Sequence, residues 1–172
     1  MSKTDKTNIY CYDDHRSFSD EIRNRFSDPE RYSLFIYHNS DDFINQVIKE
    51  RENRFCNIAI IGVHEAGEDI PIVDQLMEKI RSASNSISII MICHPDKLGE
   101  IRKKLKLNAD SYIPNNSNLI LRTHNIVKKI ISEHHLSIFR KRRNLSFFVM
   151  ASFIFVALLF AAVAYFIYPQ YF

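Results

Sequence analysis

The feature that most constrains this chain is an uncharged run of 24 residues, Leu145 to Tyr168 (LSFFVMASFIFVALLFAAVAYFIY). As a helix rising 1.5 Å per residue it would extend about 36 Å, more than the ~30 Å hydrocarbon thickness of a bilayer. A helix that is apolar on every side offers no face to water. The run therefore predicts a single C-terminal transmembrane helix over residues 145–168. Directly before it stand Arg140, Lys141, Arg142 and Arg143. Lys and Arg beside a span favour the cytoplasmic side, so these four residues orient the helix with the N-terminal region inside. Tyr165, Tyr168 and Tyr171 suit the opposite interface, where amphipathic rings settle. Residues 169–172 follow as a short tail. Ala157, Ala161, Ala162 and Ala164 form a patch of small residues, read either as a packing face for another helix or as ordinary span composition.

What precedes the span is read as one domain over residues 1–137, joined by a basic juxtamembrane segment over 138–144. About 140 residues suffice for one buried core but not for two. Lys and Arg total 23 against 20 Asp and Glu, a net charge of +3, so overall charge does not argue for nucleic acid. The three cysteines, Cys11, Cys56 and Cys93, sit in apolar runs without metal-ligand spacing. They read as buried, reduced thiols of a cytosolic domain. Met1 to Asn8 carries no apolar stretch, so no secretory signal peptide is expected.

Strand and helix patterns alternate through this region. Asn8–Tyr12, Tyr32–Tyr37, Cys56–Val63, Ile87–Cys93 and Ser111–Pro114 read as strands. Cys56–Val63 (CNIAIIGV) is continuously apolar, as befits a central strand covered on both faces. Helices are expected over Ser17–Phe26, with Ser17 or Ser19 as cap, and from Ser40 as the cap of SDDFINQVIKERE. Further helices are expected over Ile72–Ser82, from Pro95, and from Ser117 to about Leu136, with a loop over Glu65–Asp69. The last helix is expected to run into the span with little interruption. Five strand-then-helix units imply a parallel sheet with helices on both faces.

In such sheets, sites form beyond the carboxyl ends of the strands. Those ends carry Asp13, Asp14 and His15; His38; Gly62, Val63, His64 and Glu65; Cys93 and His94; and Pro114, Asn115 and Asn116. The Asp13-Asp14 pair and the segment Leu107-Asn108-Ala109-Asp110-Ser111-Tyr112-Ile113 resemble those of the receiver domain of bacterial two-component response regulators. The resemblance covers roughly Thr7 to Ser137. It implies an α/β, flavodoxin-like (βα)5 three-layer sandwich with a five-stranded parallel sheet, here followed by the transmembrane helix. An unrelated domain of the same architecture with a chance acidic pair is the alternative.

Receivers of this family hold Mg²⁺ with an acidic pair and accept phosphate on an Asp at the end of the third strand. A hydroxyl ending the fourth strand and a Lys ending the fifth engage the phosphoryl group. This sequence keeps Asp13 and Asp14. Gly62 stands at the acceptor position and has no nucleophile. Cys93 stands at the hydroxyl position, where a thiol is a poor donor, and Asn115 replaces the Lys. Tyr112 falls where the family often carries its switch aromatic. The resemblance thus implies a degenerate pseudo-receiver that cannot be phosphorylated in the usual way. No cofactor is expected, although residual Mg²⁺ binding at Asp13 and Asp14 is compatible with the resemblance.

The expected function is that of a non-catalytic regulatory module, held at a bacterial inner membrane with its domain cytoplasmic. It would bind protein partners through the span or through the face of the fourth helix, fifth strand and fifth helix, broadly Lys97 to Ile131. Self-association is compatible with this. Two other functions remain open: a small structural subunit of an inner-membrane assembly, and a divalent-metal phosphohydrolase using Asp13 and Asp14. The basic stretch Arg102–Lys106 reads as a solvated helix face rather than a nucleic-acid site. The histidines at the strand ends suggest a metal site or a pH-sensitive cluster less strongly than they suggest ordinary surface histidines.

Overall fold

The computed structural model describes the backbone of residues 6–49, 55–63, 69–84, 86–105 and 109–167, and their side chains except at 69, 141, 142 and 159–167. The chain divides into two compact units, Met1–Ile131 and Ser132–Phe172.

The first unit is built from alternating elements: β1 (Thr7–Tyr12), α1 (Ser19–Arg25), β2 (Tyr32–Tyr37), α2 (Ser40–Lys49), β3 (Cys56–Val63), α3 (Asp69–Ala83), β4 (Ser88–Cys93), α4 (Leu98–Lys104) and β5 (Ser111–Pro114), then the start of α5 (Leu119–Ile167). The five strands are parallel, in the order β2-β1-β3-β4-β5. This is the flavodoxin-like order, in which the direction of winding reverses between β1 and β3. The expected sheet, and the strands β2, β3 and β5 residue for residue, are therefore present.

Alternation along each strand supplies two cores. Tyr10, Tyr12, Ala59, Ile61 and Met91 face one side, against Phe43 of α2, Leu76 and Met77 of α3, and Ile101 of α4. Ile9, Cys11, Ile58, Ile60 and Ile92 face the other, against Ile22 of α1 and Leu119 and Val127 of α5. Central strands covered on both faces are mostly apolar, and β3 is buried throughout, with Asn57 buried as well and its Oδ1 accepting the Asn8 side-chain amide at 3.0 Å.

The helix starts differ from expectation in an instructive way. Neither Ser17 nor Ser19 caps α1; the residue before that helix is Phe18, which makes no side-chain cap bond. Ser40 is already helical, and Asn39 Oδ1 accepts the Asp41 N–H at 2.8 Å instead. α5 begins at Leu119, two residues after the expected Ser117, and before it Asn116 Oδ1 accepts the Asn118 N–H at 3.1 Å. Pro95 opens a short 3₁₀ turn, Pro95–Lys97, that leads into α4. In α3 the helix begins at Asp69, three residues earlier than the periodicity predicts, because Pro71 fits a first helical turn.

The second unit is helical from Ser132 through Ile167, as part of the 49-residue α5. Its described apolar side chains are exposed, from Leu145 and Phe147 to Phe155 and Leu158. Among the described residues, no helix is long and apolar enough to cross a membrane. The side chains of residues 159–167, and all of residue 168, which belong to the uncharged run, lie outside the described part.

Candidate functional site

The carboxyl edge of the sheet gathers the residues singled out in the sequence. Tyr12 pairs with Ile61, so Asp13 and Gly62 are the next residues on neighbouring strands. Gly62 pairs with Ile92, and Cys93 pairs with Val63 on one side and Pro114 on the other. Asn115 follows directly, its N–H donating to the Cys93 carbonyl at 2.7 Å. Asp13, Gly62, Cys93 and Asn115 thus stand at or within one residue of the carboxyl ends of the four adjacent strands β1, β3, β4 and β5. His64 and Glu65 lie outside the described residues.

Asp13 is fully buried, at 0% exposure. Its Oδ2 accepts the backbone N–H groups of Phe18 and Ser19, each at 3.0 Å. Its Oδ1 accepts the Ser17 hydroxyl at 3.4 Å. These are the N–H groups that the start of α1 leaves without intrahelical partners. Asp13 therefore caps α1 from the end of β1. The turn between them is tight enough to place Arg16 at φ 54°, in the left-handed region unusual for a non-glycine residue. His38 adds a second tie: its Nδ1 donates to the Asp13 carbonyl at 2.5 Å, the ring nitrogen being the donor because a carbonyl can only accept.

Asp14 turns outward. His15 donates its N–H to Asp14 Oδ1 at 2.9 Å, and its ring Nε2 lies 3.6 Å from Oδ2. His94 sits 3.4 Å from Asp96 Oδ2. His15 and His94 are thus engaged by a carboxylate close in sequence, whereas His38 reaches across to the end of β1. Among the described residues, no three His, Cys, Asp or Glu side chains come together closely enough to hold a metal ion. Asp14 is the carboxylate of the pair with solvent access, while both oxygens of Asp13 already accept hydrogen bonds.

Cys93 is 1% exposed, and burial pushes its thiol up to about 11. Burial does the same at Cys56, to about 11. At Cys11, burial first and the Asp13 charge second push the thiol higher still. These groups stay protonated near neutrality, so none is an activated nucleophile. Gly62 is buried and brings no functional group.

Tyr112 leans into its own loop. Its hydroxyl accepts the Ala109 N–H at 3.1 Å, and the Arg102 guanidinium lies 5.5 Å above its ring. With Leu98, Asp110 and Ser111 they line an open cleft of about 570 Å³ between α4 and β5.

Two polar ties escaped sequence reasoning. Asp110 Oδ2 accepts the Ile89 N–H at 2.6 Å and pairs with Arg81 at 2.8 Å, while Arg81 also donates to the Ile87 carbonyl at 2.9 Å. This pins the end of α3 to the start of β4 and β5. Arg25 donates to His124 Nδ1 at 2.8 Å, tying α1 to α5. Burial, then the Arg25 and Lys128 charges, hold the His124 imidazole below its usual range. Nothing in local sequence spacing signals either long-range pair.

The strand order defines the class of fold: the chain has the fold of a response-regulator receiver domain. It is similar to a signal receiver domain from Vibrio parahaemolyticus (TM-score 0.57, 14% identity, 78% of this chain and 96% of that one). It is similar as well to a response regulator receiver protein from Burkholderia phymatum (TM-score 0.55, 20% identity, 74% and 96%). A third similar structure is the receiver domain of AraT, a response regulator from Geobacillus stearothermophilus (TM-score 0.53, 13% identity, 76% and 97%). At these identities the likeness is one of fold. No protein-family model matches the sequence, and no curated protein matches it.

Proposed function

We propose that the chain is a membrane-tethered pseudo-receiver: a non-catalytic regulatory module that binds a protein partner and does not use phosphoryl transfer to Asp as its switch. The observation that carries this reading is the use made of the carboxyl edge. The carboxylate facing inward, Asp13, is committed to capping α1. The position beside it, Gly62, offers no acceptor, Cys93 is a buried thiol, and Asn115 supplies no positive charge. Phosphoryl transfer to a protein needs a nucleophile and a cation to offset charge. The same argument weighs against a metal-dependent phosphohydrolase built on the acidic pair.

The tether is inferred from the uncharged run and the exposed apolar side chains of its described part, Leu145 to Leu158. Arg140, Lys141, Arg142 and Arg143 set its orientation, with the receiver-like domain on the cytoplasmic side of a bacterial inner membrane. In this reading the partner binds α4, β5 and the first part of α5, and the open cleft beside Arg102 and Tyr112 supports that choice. The test is photo-crosslinking in intact membranes, with the crosslinker replacing Arg102 in one chain and the exposed Arg23 of α1 in a control. A discrete adduct from position 102 that is indifferent to acetyl phosphate supports the reading. No adduct, or one that depends on acetyl phosphate, contradicts it.

A further inference from the structure

The basic cluster before the apolar run has a geometry that its position in the sequence leaves open. It lies wholly within the second unit, where the backbone is helical from Ser132 through Ile167. Arg140, Lys141, Arg142 and Arg143 therefore occupy four consecutive helical positions. Such positions are about 100° apart around the axis and rise 1.5 Å each. The four go round the helix within about 5 Å of height, as a collar rather than a stripe.

The sequence offers the collar no neighbouring carboxylate side chain along the helix. The carboxylate side chain nearest to it in sequence is Glu133, seven positions before Arg140. That is about 10 Å along the axis, beyond the neighbours three and four apart that pair on a helix. Arg140 and Arg143, themselves three apart, are like charges, and both are exposed. Exposed aromatic rings bracket them: Phe139 at 64% on one side, Phe147 at 66% and Phe148 at 76% on the other. A protein surface would meet one side of such a collar. A plane of headgroups pierced by the helix meets all of it, with the rings at the boundary between headgroup and acyl chain.

We propose that Arg140–Arg143 is a binding site for anionic phospholipid headgroups in the leaflet where the helix enters the bilayer. This rests on the membrane-tethered reading above and adds which lipids surround the helix there. Guanidinium groups match phosphate oxygens in a two-pronged fashion, and a headgroup with net negative charge supplies a counter-ion.

The test uses the full chain and the variant R140Q/K141Q/R142Q/R143Q, each reconstituted in phosphatidylcholine vesicles with or without phosphatidylglycerol. Resistance to alkaline carbonate reports insertion. Native mass spectrometry of each chain, released into detergent with equimolar phosphatidylglycerol and phosphatidylcholine, reports which lipid is retained. The expected result is insertion of both chains, with the wild type preferring phosphatidylglycerol by about tenfold or more. In the variant the preference falls to near one. Inorganic phosphate or a short single-stranded DNA at the lipid's concentration leaves the wild-type adducts in place. Equal retention of the two lipids by the wild type, an unchanged preference in the variant, or displacement by phosphate or DNA overturns the site. If carbonate extracts the wild type, the membrane reading falls and the site with it. Insertion without lipid preference removes the collar alone.

Discussion

Two stretches of α5 obey opposite rules. In Leu119–Ile131 one apolar face is covered, with Val127 0% and Leu119 3% exposed, while Leu121 on the other side is open at 57%. In Leu145–Leu158 the apolar side chains are open, with Phe148 and Phe153 both at 76%. The backbone is helical throughout, so secondary structure does not separate them. Pattern does. The first stretch is amphipathic, with Arg122, Lys128 and Lys129 outside and an apolar stripe that one sheet face can cover. The second is apolar all round, and no one-sided partner can cover it. One helix thus asks for two different environments.

The largest expected effect breaks this comparison at its two ends. Val127→Asp places an unpaired charge in a sealed core and should cost about 4 kcal/mol or more of domain stability, read by urea denaturation of the full chain in detergent. Phe153→Asp should leave that stability within about 0.5 kcal/mol. It should instead weaken membrane insertion by about 3 kcal/mol, read by carbonate extraction. Equal stability losses from both substitutions would show that the two stretches share one environment.

A second comparison lies within the acidic pair. Asp13→Ala strips the cap from α1 and leaves the Phe18 and Ser19 N–H groups buried without their acceptor, at a cost of about 2 kcal/mol. Asp14→Ala, at an exposed side chain, should change stability by less than about 0.5 kcal/mol. Matching midpoints for the two variants would refute the capping role.

The smallest effect concerns the tie between α1 and α5. His124 is held below its usual value of 6.5, because burial and the nearby Arg25 and Lys128 charges disfavour the imidazolium. The unfolded chain therefore takes up this proton more readily than the folded one. The stability that His124 contributes is full above pH 6.5 and is lost as pH falls through the lower folded value. The ring is only half-buried, so solvent screening limits the loss to a few tenths of a kcal/mol. His124→Gln keeps a hydrogen-bonding group without the titration. Comparing urea midpoints at pH 5 and pH 7.5, the wild type should lose more than this variant, and identical losses would exclude His124.

How much was legible in the sequence follows from which forces act locally. The strands were readable because central positions of a doubly covered parallel sheet are mostly apolar, as in β3, where buried Asn57 is satisfied by Asn8. The gathering of Asp13, Gly62, Cys93 and Asn115 at one edge followed from strand direction alone. What Asp13 does there was not readable. A carboxylate ending a strand looks the same in sequence whether it faces an ion or a helix start. Only the turn through Arg16 brings the Phe18 and Ser19 N–H groups onto it. The caps of α1 and α2 were misassigned for a related reason: Asp13, Asp14, Ser17 and Ser19 cluster at the start of α1, and Asn39 and Ser40 at the start of α2, and the chain's path selects among them. The Arg81–Asp110 and Arg25–His124 pairs bridge elements far apart in sequence, where no spacing rule reaches.

The central claim is that the carboxyl edge of this receiver-like sheet cannot accept a phosphoryl group. Intact-mass analysis of the full chain after incubation with acetyl phosphate and Mg²⁺ tests it directly. The account predicts an unchanged mass. A stoichiometric phosphoryl adduct, labile to hydroxylamine as an acyl phosphate is, would contradict it.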